Sequence, residues 1–110
     1  MGKLITWMGN SRVKVKNFPV STRREAGYQL YRVQQGLLPS DWKPMPRIGS
    51  GVAEIRLHEL HEHRVIYVTK FEESIYVLHA FEKKTGKTAQ RDIEVARQAF
   101  KKILNLRGGK

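Results

Sequence analysis

The segment from Val52 to Lys84 constrains this chain more than any other. It holds three runs rich in β-branched and aromatic residues, Val52 to Leu57, Arg64 to Thr69 and Ser74 to Glu82, separated by two short polar connections. Runs of that length with turn-sized spacers predict a three-stranded antiparallel meander. Each run carries a cation at or near one end: Arg56 in the first, Arg64 opening the second, Lys83 and Lys84 closing the third. Because side chains alternate between faces and antiparallel neighbours sit opposite each other, Arg56 and Arg64 are expected side by side at one end of a sheet.

The remaining segments supply helices. Leu4 to Met8 is a short apolar run ending at the turn signal Gly9-Asn10, which predicts an edge strand. Ser11 to Asn17 alternates cations with valines and fits either a strand extension or a solvated loop. Pro19 suits a first helical turn, and Thr22 with Glu25 has capping-box spacing. Ala26, Leu30, Val33 and Leu37 then form one helical stripe, Gly27 beside it offers close approach to the sheet, and Gly36 stops the helix. Residues 36–51 hold three of the four prolines and read as a connector with at most a short helical turn, pinned by Trp42, Met45 and Ile48. Thr88 is positioned to cap a last helix running to about Leu106, with Ile93, Ala96, Phe100 and Ile103 on its apolar side. The order predicts an α+β fold: a single domain over residues 1–110, with a small twisted, mainly antiparallel sheet and helices packed on one side.

Charge narrows the partners. The chain carries 21 Lys plus Arg against 10 Asp plus Glu, a formal balance of +11. Lys3, Arg12, Lys14, Lys16, Arg23 and Arg24 precede the first acid, and residues 83–110 hold nine cations against Asp92 and Glu94, so the two ends make the basic surface. A small protein with that excess is expected to meet a polyanion, nucleic acid or the ribosome. No cysteine is present, which excludes disulfides and thiolate metal sites. No apolar run reaches membrane-spanning length and the first residues lack a signal-peptide core, so a soluble, cytoplasmic protein is expected.

Arg56, Arg64, Lys83 and Lys84 are the first candidate site. Guanidinium groups grip phosphate oxygens bidentately, and a lysine whose pKa is lowered by neighbouring cations supplies a proton. Such a set suits RNA cleavage in which the 2′-hydroxyl attacks the adjacent phosphorus without metal or cofactor. The competing reading pairs the arginines with Glu54, Glu59 or Glu62 as braces. His58, His61 and His63 invite a metal but lie at a hairpin tip, where side chains are spaced irregularly. His79 shares strand parity with Phe81 and Lys83, and is a candidate acid, base or stacking partner for an RNA base. Tyr67 and Phe81 are the aromatics nearest the cations in sequence. Arg47, in the long connector, is placed to reach the site. P-loops, nucleophile elbows and dinucleotide glycine fingerprints are absent.

The strings GSGVAEIRL, HRVIYV and IYVLHAFEKKTGKTAQRDIEVARQ, with WMGNSRVKVKNFP, GYQLYRVQQG and LPSDWKPMPRIGSG upstream, resemble the phage-derived HigB-like branch of the RelE/ParE toxin superfamily over nearly the whole chain. The resemblance implies a microbial-ribonuclease-like sheet with two N-terminal helices and one C-terminal helix. It implies a toxin that cuts mRNA in the ribosomal A site and is restrained by a helix-turn-helix, HigA-like antitoxin, with DNA met only through that complex. On it, Arg56 and Arg64 are phosphate-contacting cations, and Lys84, with Lys83 as substitute, protonates the leaving oxygen. The tyrosine some relatives place after this segment is missing, leaving His79 and Tyr67 for the general base. Lys14, Lys16, Arg23, Arg47, Phe81, Lys87 and Arg91 are the expected RNA contacts. Two alternatives stay open: a ParE-like toxin acting on DNA gyrase without a nuclease site, and a non-catalytic basic RNA-binding or phage structural protein. Arg64, read as an exposed strand cation, is expected to be dispensable for folding.

Overall fold

The computed structural model describes residues 2–108. A five-stranded mixed sheet runs in the order β1-β5-β4-β3-β2, formed by β1 (Leu4–Trp7), β2 (Trp42–Pro44), β3 (Val52–Leu57), β4 (His63–Val68) and β5 (Ser74–Glu82). The helices are α1 (Ser11–Lys16), α2 (Val20–Gln34) and α3 (Gln90–Gly108). The meander β3-β4-β5 is antiparallel, and β1 joins its β5 edge in parallel.

The helices cover both faces of the sheet instead of one. Val15, Phe18, Ala26, Leu30 and Val33 of α1 and α2 meet Ile55, Val65, Tyr67, Val77 and Ala80 on one face. Ile93, Ala96, Phe100 and Ile103 of α3 meet Val52, Ile66, Val68, Leu78 and Phe81 on the other. The reason is visible in the strands: β4 is buried at every position, so both sets of alternating side chains need a cover.

Several local expectations shift. Residues 11–16 form a helix, entered through Gly9 at φ 53° and anchored by the Ser11 hydroxyl donating to the Val77 carbonyl at 3.1 Å. Only Val15 of its valines is buried, so the alternation was that of a one-sided helical turn. The second helix starts at Val20 with Pro19 at its N-cap and no side-chain cap, because Thr22 is turned into the interior. Gly36, at φ 85°, does stop it, but Leu37 lies exposed beyond the stripe and Gly27 faces open space. The connector contains strand β2, where Pro44 is tolerated at the sheet edge. Met45 and Ile48 pin it as expected, while Trp42 is 37% exposed. The buried Gln29 takes over that task, donating to Ser40 Oγ at 3.0 Å and accepting from the Ser40 amide at 2.8 Å. Gly49 packs so closely that a Cβ there would lie 2.5 Å from the Phe100 ring.

One irregularity matters for the site. The β4–β5 register slips between Ile66/Tyr67, so that Ile66 faces His79 while Tyr67 faces Val77, and Leu78 is the extra residue. This bulge brings His79 onto the α3 face together with Phe81.

Candidate functional site

Arg56 and Arg64 are direct cross-strand partners, as the meander predicts. Two like charges opposite each other repel, and Glu54, two residues before Arg56 on β3 and so on the same face, relieves them. Its Oε1 lies 3.9 Å from Arg56 Nε and 3.7 Å from Arg64 Nε, while Thr88 Oγ1 donates to its Oε2 at 3.0 Å. Glu54 is 1% exposed, an acid placed among cations that compensate its burial. Both arginine Nε atoms are buried and lack a hydrogen-bond partner, since these separations exceed hydrogen-bond length. Thr88, expected as the α3 cap, has its hydroxyl committed here.

Arg64 is not the exposed cation expected from its strand position. It is 4% exposed, pairs with Glu62 Oε1 through Nη1 at 3.0 Å, and donates to the His63 carbonyl at 2.9 Å. Glu62 is in turn bound by His58, whose Nδ1 lies 2.8 Å from its Oε2 and whose Nε2 lies 2.6 Å from Asp41 Oδ2. The Glu62 hydrogen bond first, then that of Asp41, raises the His58 pKa, and the same His58 contact, then Arg64, lowers that of Glu62. Arg56, by contrast, leaves a third of its side chain in solvent.

Lys83 follows β5 and completes the group, its amide donating to the Glu62 carbonyl at 2.7 Å. Burial first, then the Arg64 charge, with Arg56 and Lys43 adding, pushes its pKa below the usual lysine value against the pull of Glu54. Glu54, Arg56 and Lys83 line a cleft of about 360 Å³ together with Lys43, Arg47 and Lys87.

The other candidates lie elsewhere. Lys84 and His79 line a second cleft of about 750 Å³ with Lys14, Phe81 and Arg91, beyond the Lys83–Ala89 connection. Lys83, not Lys84, is therefore the lysine beside the arginines. His79 donates or accepts at Nε2 with Asp92 Oδ1 at 2.8 Å and stacks on Phe81 at 5.2 Å. Burial lowers its pKa, opposed by Asp92. Tyr67 lies apart from these cations: it is 3% exposed, sits on the α1/α2 face with Ala53 and Val65, and burial pushes its phenol up to about 12. Lys16 and Arg23 meet at the α1–α2 junction, where Arg23 Nη1 donates to the Lys16 carbonyl at 3.2 Å, outside both clefts. Of the hairpin histidines, His58 bridges two acids, while His63 is buried against the Phe18 ring at 4.6 Å.

Glu54 is the residue that sequence reasoning treated only as a brace. Its strand parity with Arg56 was the available signal, since a carboxylate sharing the face of two cations belongs to their site.

Residues 14–101, which contain every residue of both clefts except Asn10, match the family described as phage-derived protein Gp49-like. No curated protein matches the chain. Among solved structures it is similar to the free state of an arginine-to-alanine double mutant of the E. coli toxin RelE, at 14% identity over 94% of this chain and 99% of that one, with a TM-score of 0.65. At that identity the likeness is one of fold. The chain belongs to the phage-derived Gp49-like family, a RelE/HigB-like toxin family, and has the RelE fold.

Proposed function

We propose that this protein is the toxin of a toxin–antitoxin pair and that it acts as a metal-independent endoribonuclease on mRNA at the ribosome. The observation that carries the reading is the convergence of Glu54, Arg56 and Lys83 at one cleft, with Arg64 buried beside Glu54 and two buried guanidinium N–H groups lacking an acceptor. A phosphodiester placed there meets a carboxylate, guanidinium groups and an ammonium group, the set of groups that the reaction needs. Glu54 takes the proton of the 2′-hydroxyl as its oxygen bonds to phosphorus. Arg56, a third in solvent and 3.9 Å from Glu54, grips the phosphate. Arg64, clamped by Glu62, stabilises the growing negative charge from below. As the bond from phosphorus to the 5′-oxygen breaks, Lys83 gives that oxygen a proton, and its depressed pKa makes the transfer easier. The products are a 2′,3′-cyclic phosphate and a free 5′-hydroxyl.

A second reading is a ParE-like toxin without nuclease chemistry. It is favoured by the Arg64–Glu62 pair at 3.0 Å, which engages Arg64 Nη1 without RNA. Primer extension on mRNA from induced cells separates the two. Discrete cuts that disappear in Arg56→Ala and Lys83→Ala, with both variants folded, support the ribonuclease. Intact mRNA under full growth arrest removes it. The family also implies an antitoxin, and a helix-turn-helix, HigA-like protein encoded next to this chain is the proposed partner; the exposed cations Arg47 and Lys87 at the rim give RNA binding that weakens steeply with salt.

A further inference from the structure

The larger cleft takes no part in that mechanism, yet it has the composition of a recognition site. It opens where β1 ends and leaves the C-terminal half of β5, paired with β4 on its other side, without a strand neighbour on this edge, between α1 and the start of α3. One wall is the His79–Phe81 stack, with rings inclined by 22°, and another is Phe18 leaning on His63. Lys14, Lys84 and Arg91 are exposed around it, and the amides of Asn10 and Asn17 face solvent at its α1 side. Its volume of about 750 Å³ lies in the range of pockets that enclose a small organic ligand.

The chemistry of His79 narrows the ligand. Asp92 takes the Nε2 side of the ring, and Nδ1 is buried with no hydrogen-bond partner. In the neutral imidazole, with Nε2–H donated to Asp92, Nδ1 is an acceptor and calls for a donor on the ligand. Burial keeps the ring on its neutral side, with the nearby Lys14 charge acting the same way. A ligand that fits must therefore be planar and aromatic, must carry an N–H or O–H donor, and must carry a negative group for the three cations.

We propose that this cleft binds a nucleoside phosphate, with the base against the His79–Phe81 wall, a base amino group or ribose hydroxyl donating to His79 Nδ1, and the phosphate held by Lys14, Lys84 and Arg91. The source is either a nucleotide of an RNA strand or a free nucleotide. A strand has a path: Phe81, Lys83, Lys84, Lys87 and Arg91 line a smaller recess under the Lys83–Ala89 connection that adjoins both clefts.

The test is titration of the ¹⁵N-labelled full chain, followed by amide shifts, with the four ribonucleoside 5′-monophosphates, with inorganic phosphate, and with a trinucleotide RNA. The expected result is saturable shifts at Asn10 to Phe18, His79 to Lys84 and Arg91 to Val95 with a mononucleotide, and at least tenfold weaker ones with inorganic phosphate. The double variant Lys84→Ala/Arg91→Ala should weaken binding at least fivefold, and His79→Gln should erase the preference for nucleotide over phosphate. If His79→Gln does not fold, Asn17→Asp on the exposed side of α1 should weaken nucleotide binding at least threefold. Tighter binding of the trinucleotide assigns the site to an RNA strand, and equal binding assigns it to a free nucleotide; both support it. Equal shifts with phosphate and mononucleotide, or shifts confined to the Lys43, Arg56 and Lys83 cleft, overturn it. Binding is read without cleavage, so this inference and the ribonuclease reading fail separately: Glu54→Gln tests scission and leaves the shifts in the larger cleft in place.

Discussion

The two faces of the sheet use the same strands to opposite ends. The face under α1 and α2 is built on an apolar cluster, from Val15 and Phe18 through Ile55, Val65 and Ala80, and buries His63 against Phe18 but no carboxylate or guanidinium. The face under α3 is equally apolar around Phe100 and Ile66, but toward the β3–β4 hairpin it buries Glu54, Arg64 and His79. Residues adjacent in sequence, Ile55 and Glu54 or Val65 and Arg64, thus fall into unlike environments only because strand side chains alternate. Burying ionic groups is a poor way to gain stability, and well-packed apolar residues commonly do as well or better. Their concentration at one end of one face is therefore not accounted for by stability, and it coincides with the proposed site.

Substitutions at neighbouring positions should therefore separate activity from stability. The largest effect is expected at Glu54: Glu54→Gln should cut RNA scission by about 10²- to 10⁴-fold, the typical worth of a general base, while circular dichroism still shows a folded chain. Its neighbour Ile55→Ala should do the reverse, costing about 2–5 kcal/mol of stability in a denaturant melt with scission per folded molecule unchanged. Should the two variants behave alike in both assays, the functional distinction between the faces is lost.

Arg64→Ala comes next and corrects the sequence expectation. Removing it leaves Glu54 buried with less compensation and frees Glu62, so a loss of about 3 kcal/mol is expected. A melt indistinguishable from that of the parent protein would show that Arg56 and Lys83 suffice to hold the carboxylate.

Gly49→Ala probes the apolar part of the α3 face. The added methyl meets the Phe100 ring, and a cost of about 2 kcal/mol is expected from overpacking, without effect on the cleft. A variant as stable as the parent would mean that α3 shifts freely over the sheet.

The smallest effect is expected at the hairpin tip. Because His58 gains a raised pKa from Glu62 and Asp41, its ion pairs stabilise the fold below the unfolded value of 6.5 and lose that contribution as the pH rises through the folded value. His79 has the opposite sign, since its lowered pKa favours the fold at higher pH. Subtracting the stability curve of His58→Gln from that of the parent isolates the first term: the difference should shrink from pH 5 to pH 8, and a flat or rising difference would count against the Asp41–His58–Glu62 bridge. Most of these groups are exposed, so the change should be a few tenths of a kcal/mol.

Local chemistry alone determined much of this protein. The meander, the Arg56–Arg64 pairing, the stop at Gly36 and the apolar side of α3 all follow from alternation, helical spacing and turn residues, which act between near neighbours. The tertiary structure decided what depends on distant segments. Whether residues 11–16 coil or extend was settled by packing against β5, and which lysine joins the arginines was settled by where the chain leaves that strand. Only the assembled fold could bury Arg64 between two acids, turn Thr22 inward, send Tyr67 to the far face and use a one-residue bulge to set His79 beside Phe81. Each of these is a contest for the same space or the same charge between groups far apart in sequence, and such contests have no signature until the chain is closed around them.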